Sequence, residues 1–411
     1  MLKVNKLAKL FNSLVVGENK SMIYFDNAST TKPFDCVIDE IASFNKQHFF
    51  NPSALYKEGI ETSKIIEKSR QVIADNLGVE SEEIYFTSSA TEANNWTLLN
   101  GFKKKKGNVV ISLGEHASVF ECGKLLHNRG IEVRWIKLKN DGTIDLEDLE
   151  IKVDENTVLV SIIHVSNETG AINDIETIGK LIKNKNPAAR LHSDGAAAFC
   201  KIGVLQHVIS DRASKSDDFR GVLPRRALDF YTISGHKIGG PKGVGVLYIN
   251  KKLNIAPLIV GGGQERGMRS GTENTGAIVG FAKAAACHCE QSNIIVRQIH
   301  DFIKNELMHA GWIYNGSQNN TGYILSLSNP KIKAEILMRL LSEEGILIGL
   351  GSACANKLSQ NRVLSAAGAA KTQIEGSIRL SFSPQNTMAE AKIVVQKIIE
   401  KQQFLQGKIS K

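Results

Sequence analysis

The chain has 411 residues, enough for two domains or for one large domain with a smaller companion. Its 42% hydrophobic and 23% charged residues are ordinary globular values, and no apolar run nears the roughly 18 residues that a membrane span requires. A net charge of +9 is mild for this length; its one dense run, Lys103 to Lys106, lacks interleaved aromatics and reads as a solvated loop rather than a nucleic-acid patch.

In chain order, residues 1–22 carry an apolar stripe (Leu2, Leu7, Leu10, Phe11, Leu14) among lysines. This reads as a short packed helix, because an organelle-targeting segment would be richer in Arg and Ser. From about 60 to 265 helices and strands alternate. "EGIETSKIIEKSRQVIADNLG" (helix) precedes "EIYFTSS" (strand). "TEANNWTLLNGFKK" precedes "NVVISL", and "VFECGKLLHNRG" precedes "EVRWIKL". "TVLVSIIHV" is a strand and "IETIGKLIKNKN" a helix; "RLHSDG", "DFYTISG" and "GVGVLYI" are strands. The pattern predicts an α/β fold with a mostly parallel sheet covered on both faces. "QHVISDRASKSDDFRGVLPRRA" (206–227) is polar and aperiodic, a surface loop. After about 290 the helices "VRQIHDFIKNELMHAG", "AEILMRLLSEEG" and "MAEAKIVVQKIIEKQ" and the strands "YILSLS" and "SIRLSFS" predict a smaller α+β domain. Residues 27–290 are expected to form the large domain, and 1–26 with 291–411 the small one.

Six cysteines (36, 122, 200, 287, 289, 354) show no framework spacing, which implies a reducing compartment. Cys287 and Cys289, two apart in "AKAAACHCE", fall on different faces of a helix and read as small buried residues; no metal site is expected.

Ligands of parallel sheets bind beyond the carboxyl ends of the strands. The loops there hold the candidate chemistry. "SSATEANN" (88–95) opens a helix, and Thr91 is either a plain helix-start residue or an anion contact. Asp194 is either a turn residue or the partner of a cationic ring nitrogen. His116 is either structural or a proton carrier stacked on an aromatic ligand. Cys354, in the Gly/Ser/Ala-rich "GSACANKLSQN" near Lys357, has the setting of a reactive thiolate. Arg379, among apolar residues of a strand, is either an edge residue or a fork for a carboxylate. Two glycine-rich segments, "SGHKIGGPKG" and "VGGGQERGMRSGTENTG", allow close backbone approach but lack nucleotide P-loop spacing. Phosphate donors, a carboxylate, a histidine and a lysine at strand ends are what pyridoxal phosphate would need.

In combination and in this order, "NPSALYKEG", "FTSSATEANN", "EHASV", "SNETG", "SGHKIGGPKG", "GGGQERGMRSGTEN" and "GSACA" give a chain that resembles the cysteine desulfurases of the class V aminotransferase group. The likeness runs from residue 24 to residue 387. It implies fold type I among pyridoxal-phosphate enzymes, with a seven-stranded sheet in the large domain. Lys237 would be the Schiff-base lysine, and Ala90, Thr91, Ser234 and His236 the phosphate contacts. Thr272 would reach the phosphate of a second subunit, so a homodimer is implied. Asp194 would hold the pyridine nitrogen, His116 would stack on the ring, and Asn167 and Arg379 would take the substrate carboxylate. Cys354 would accept the sulfur of L-cysteine as a persulfide and pass it to an acceptor, either an iron–sulfur scaffold or a transfer-RNA thiolation enzyme. A cytoplasmic protein is expected, organellar if residues 1–22 act as a targeting segment.

The chain departs from the family pattern at four places. Ala197 replaces a glutamine that contacts the cofactor's phenolic oxygen, Tyr56 a histidine, and Ser365 an arginine, and 206–227 is longer than usual. Two other readings share these motifs: another class V enzyme (a selenocysteine lyase or an aminotransferase), and a weakly active cofactor-binding scaffold. The thiol at 354 argues against a transaminase.

Overall fold

The computed structural model describes residues 22–102, 107–202, 227–288, 290–350 and 362–409. The expectations placed on 1–21, the Lys103–Lys106 run, the 206–226 loop, Cys289 and Cys354 lie outside these residues.

Seven strands form the larger sheet: β2 (Ile84–Thr87), β3 (Asn108–Ser112), β4 (Glu132–Ile136), β5 (Thr157–Ser161), β6 (Arg190–Asp194), β7 (Phe230–Ser234) and β8 (Gly245–Ile249). Their order is β2-β8-β7-β6-β5-β3-β4. All neighbouring pairs are parallel except those made by β8, which runs antiparallel to both β2 and β7. The central strands β3, β7 and β8 are buried at every position. Continuous apolar runs of this kind are required where helices cover both faces. Two clusters fill the faces, one around Ile73, Val160, Ile178, Ile233 and Phe281, the other around Trp96, Val109, Leu126 and Phe230.

A second sheet has the order β1-β11-β12-β10-β9, where β1 is Ile23–Phe25, β9 Ile313–Tyr314, β10 Ile324–Ser328, β11 Ile346–Leu350 and β12 Ser377–Ser381. Helices Glu290–His309, Ala334–Glu343 and Met388–Ile409 supply Val296, Ile299, Leu337, Leu341 and Val394 to its core. The three-residue β1 pairs in parallel with β11. From β1 the chain passes Ala28 and Ser29, which line the cleft between strands, before it reaches the first sheet.

One helix differs from expectation. The helix expected over "AKAAACHCE" ends early: helix Thr275–Cys287 stops, and His288 is extended (φ −76°, ψ 135°). The His288 ring is held off the helix, its Nε2 3.0 Å from the Ile238 carbonyl and its plane edge-on to Phe34.

Candidate functional site

Five strands of the first sheet, β2, β3, β5, β6 and β7, point their carboxyl ends at one cavity of about 380 Å³. Its walls include Ala90, Thr91, His116, Asn167, Asp194, Ser234, His236, Lys237 and Arg379. Sequence positions spread over nearly 300 residues therefore meet in one place: those from Ala90 to Lys237 lie at or just after strand ends on the same side of the sheet, and Arg379 is brought in by β12 of the second sheet.

At one end of the cavity begins helix Ala90–Asn100. Ser89 is its N-cap, and the Ser89 side chain accepts from the Glu92 amide at 3.2 Å. The first amides of a helix have no intrahelical acceptor, so this end suits an anion. A Cβ at Gly245 would lie 2.6 Å from the Ser89 carbonyl carbon and 2.9 Å from the Ala90 nitrogen; only glycine lets β8 pack this close beneath the helix start. Opposite it, the Ser234 hydroxyl is buried without a hydrogen-bond partner among the described residues. His236 places Nδ1 3.2 Å from the Thr30 hydroxyl, and burial with the Lys237 charge lowers its pKa to about 4.

In the middle sits Asp194, nearly fully buried at the end of β6. One of its oxygens accepts from Asn94 Nδ2 at 2.7 Å and the other from the Ala196 amide at 2.9 Å. Such donors fix the carboxylate at the wall of the cavity. His116 caps helix Ala117–Asn128; its Nδ1 accepts from the Ser118 amide at 3.2 Å. The proton of the neutral ring is thereby placed on Nε2. Burial lowers the His116 pKa, with Asp194 opposing, so the neutral form prevails. Lys237 ends a 3₁₀ turn after β7, and its Nζ donates to the Ala28 and Ser29 carbonyls at 2.5 and 3.0 Å.

At the far end Arg379, on β12, donates to the Asn167 carbonyl (3.0 Å), to Asp26 Oδ1 (2.8 Å) and to the Ser29 hydroxyl (2.8 Å). Its Nε is buried without a partner among the described residues. This leaves single guanidinium donors, rather than a whole edge of the fork, to meet a further acceptor such as a carboxylate.

Several charged residues of the cavity escaped sequence reasoning. Glu115 is fully buried; one oxygen accepts from the Ile163 amide at 2.5 Å and the other has no partner among the described residues. Burial, then the Asp194 charge, push it up to about 8. Glu168 is likewise pushed up to about 7 by burial. Arg362 lies between them, donates to the Leu113 and Glu115 carbonyls, and covers the Phe120 ring at 4.0 Å. Lys201 lines the same cavity, with Nζ 5.3 Å from the centre of the Tyr323 ring. Glu115 and Glu168 are chain neighbours of His116 and Asn167, which is the signal that would have found them.

Thr272 is exposed and does not line this cavity. Ala197 does line it, whereas Tyr56 and Ser365 are exposed away from it. The residues present fit pyridoxal phosphate. A helix start and an orphaned hydroxyl suit a phosphate, a held carboxylate suits a protonated ring nitrogen, and an amine lies within the same cavity.

Residues 23–394 match the family described as Aminotransferase class-V. The chain is 35% identical over 379 residues to a protein of Archaeoglobus fulgidus named cysteine desulfurase IscS 1, covering 89% of this chain and 93% of that one. It is 34% identical to a mitosomal cysteine desulfurase of Trachipleistophora hominis, over 90% of this chain and 84% of the relative. Among solved structures, a NifS-like protein superposes with a TM-score of 0.84 at 34% identity, covering 93% of this chain and all of the other. A NifS-like protein of Rickettsia africae gives 0.79 at 30% identity, over 92% and 99% of the two chains.

Proposed function

The chain belongs to the aminotransferase class-V family, and from that premise we propose that it is a pyridoxal-phosphate-dependent cysteine desulfurase, with the residues of the cleft in the roles that follow. The reading is carried by one observation: Lys237, Asp194, His116 and Arg379 line a single cavity at the carboxyl ends of the strands.

When bound, pyridoxal phosphate supplies an electron sink for the substrate α-carbon. The start of helix Ala90–Asn100, with Thr91, Ser234 and His236, holds the phosphate. Asp194 keeps the ring nitrogen protonated, fixed in place by Asn94 and the Ala196 amide. Lys237 would be the covalent anchor of the cofactor, and its Nζ would hold the substrate α-proton. Arg379 and Asn167 would orient the carboxylate of L-cysteine. His116 carries protons through Nε2. The Cys354 thiolate attacks the substrate sulfur: an S–S bond forms, the substrate Cβ–S bond breaks and its electron pair stays on Cβ, which takes up one proton, while the proton held by Lys237 returns to Cα to give alanine. Cys354 is left as a persulfide for an acceptor protein.

The functional unit is a homodimer in which Thr272 serves the partner subunit's phosphate site. Its exposure outside its own cavity supports this, as do the exposed apolar residues Phe49, Leu55, Tyr56 and Val260. The acceptor is an iron–sulfur scaffold or a transfer-RNA thiolation enzyme. Among the described residues no helix is long and apolar enough to cross a membrane. A cytoplasmic location is our reading from the scattered thiols, and fractionation tests it against the organellar placement of the mitosomal relative.

The test is a paired assay of alanine and sulfide from L-cysteine. Wild type yields both in equal amounts. Cys354→Ser retains the cofactor spectrum and loses sulfide, and Lys237→Ala loses covalent attachment of the cofactor. Sulfide release by Cys354→Ser at the wild-type rate under physiological reductant would sink the persulfide role.

A further inference from the structure

Away from the cleft, Cys36 and Cys287 bring their sulfurs to 3.1 Å, although 251 positions separate them in sequence. Cys36 is exposed in the first turn of helix Asp35–Gln47; Cys287 is half-buried at the end of helix Thr275–Cys287. The approach is built into how the two helices pack. A Cβ at Gly276 would lie 2.5 Å from Asn45 Oδ1, and one at Gly280 would lie 2.5 Å from Ile41 Cδ1. The two glycines thus let the helices run antiparallel in close contact, Gly276 against Asn45, Gly280 against Ile41 and finally Cys287 against Cys36. Packed backbone, not a loop, sets the distance between the thiols. A disulfide needs sulfurs at about 2.05 Å, a further approach of about 1 Å, which is within the reach of side-chain torsions.

The residues flanking this pair grip the chain just past Lys237. The Phe34 amide donates to the Gly239 carbonyl at 3.1 Å. The Phe34 ring meets His288 edge-on at 5.7 Å, and His288 Nε2 lies 3.0 Å from the Ile238 carbonyl.

We propose that Cys36 and Cys287 form a reversible thiol–disulfide site, oxidised by a low-molecular-weight disulfide of the glutathione class, which ties the two helices together behind the Lys237 segment. Cys36, the exposed partner, reacts first. Its thiolate attacks one sulfur of the small disulfide, whose S–S bond breaks; one small thiolate leaves and Cys36 holds a mixed disulfide. The Cys287 thiolate then attacks Cys36 Sγ and expels the second small thiolate. Two protein thiols lose two electrons and two protons, and one small disulfide becomes two thiols. Burial and the neighbouring Cys36 push the Cys287 thiol up to about 11, which disfavours it as the first nucleophile. As the second it reacts within the chain, where proximity offsets its small thiolate fraction. The site is independent of the reaction at Lys237.

The experiment exposes the cofactor-loaded full chain to reduced/oxidised glutathione mixtures of rising oxidising poise, traps free thiols with N-ethylmaleimide and maps the peptides by mass. The expected result is a Cys36–Cys287 cross-linked peptide within one chain, reversed by dithiothreitol, with a raised thermal midpoint in the oxidised form. In Cys287→Ser, Cys36 should accumulate glutathione that is not resolved. Recovery of wild-type Cys36 and Cys287 as separate alkylated or glutathionylated peptides at the most oxidising poise would overturn the proposal, as would a cross-link found only between two chains. The wild-type mapping decides the matter even if a serine variant fails to fold.

Discussion

Arg379 and Asp26 form a 2.8 Å ion pair across the second sheet, with Arg379 almost wholly buried and its Nε left over. The guanidinium is therefore held at its rear edge by Asp26 and Ser29 before any substrate arrives. Lysine at 379 could keep one of these contacts but not the fork. A hydrogen bond to a charged group is worth about 1.5–3 kcal/mol. Arg379→Lys should raise the KM for L-cysteine roughly 10- to 100-fold, with a smaller fall in kcat. Steady-state alanine formation measures both; an unchanged KM would remove Arg379 from carboxylate binding.

The same pair makes Gly349 a steric requirement. A Cβ there would lie 2.7 Å from Asp26 Oδ1 and 3.1 Å from Arg379 Nε. Gly349→Ala must therefore displace the pair. The expected outcome is a raised KM for L-cysteine in a variant that still binds the cofactor, read from the bound-cofactor absorbance.

Gly195 touches a different partner. A Cβ at this position would fall 2.0 Å from Tyr231 Cζ and 2.2 Å from its hydroxyl, which lies 2.8 Å from His164 Nδ1. Tyr231 is buried, so it has no space to move into. Gly195→Ala should cost about 1–3 kcal/mol in a denaturant titration. Tyr231→Phe should not rescue it, because the clash includes the ring carbon itself, whereas Tyr231→Leu should recover part of the loss in a double variant.

Glu115 makes stability depend on pH with a definite sign. Its pKa rises from an ordinary 4.5 to about 8 in the fold, chiefly through burial. The native state thus holds a proton that the unfolded chain has released, and stability should fall as pH rises from 4.5 to 8. Each unit of separation is worth about 1.4 kcal/mol, which sets the scale per unit of pH. Glu115→Gln keeps the acceptor for the Ile163 amide and removes the titration. Its denaturation midpoint should vary less over this range than that of the wild type, and parallel pH profiles would refute the assignment.

The larger sheet was legible because its strands are short apolar runs ended by polar loops, and the loops that carry His116, Asp194 and Lys237 follow those runs directly. β1 and β9 escaped because three and two residues are too few for any period to register. β11 was hidden because "ILIGL" adjoins the glycine-rich thiol segment and reads as part of it. Helix Asp35–Gln47 buries only Val37 and Phe44, so its stripe is sparse. In the site, Lys237 and Asp194 stood out through their motifs. Arg362 and Lys201 did not, because a charged residue becomes notable only once the fold buries it. The thiol pair was invisible for a related reason: Cys36 and Cys287 meet through helix packing, which no local spacing encodes.

Lys201 should tilt stability in the opposite direction to Glu115. Burial, then the Lys237 charge, lower its pKa from 10.5 to about 7, and Tyr323, Cys200, His236 and His288 are its other titratable neighbours. Below pH 7 the buried ammonium is charged in both states and its desolvation weakens the fold; above 10.5 it is neutral in both and the penalty is gone. Between these limits the unfolded chain binds more protons, so this lysine makes stability rise with pH. Lys201→Met should be the more stable protein at pH 6, and the advantage should shrink steadily towards pH 10. Denaturant midpoints of the cofactor-free proteins across that range provide the measurement. A Met variant that is less stable than wild type at pH 6 would mean that contacts such as the Tyr323 ring outweigh the desolvation of the ammonium.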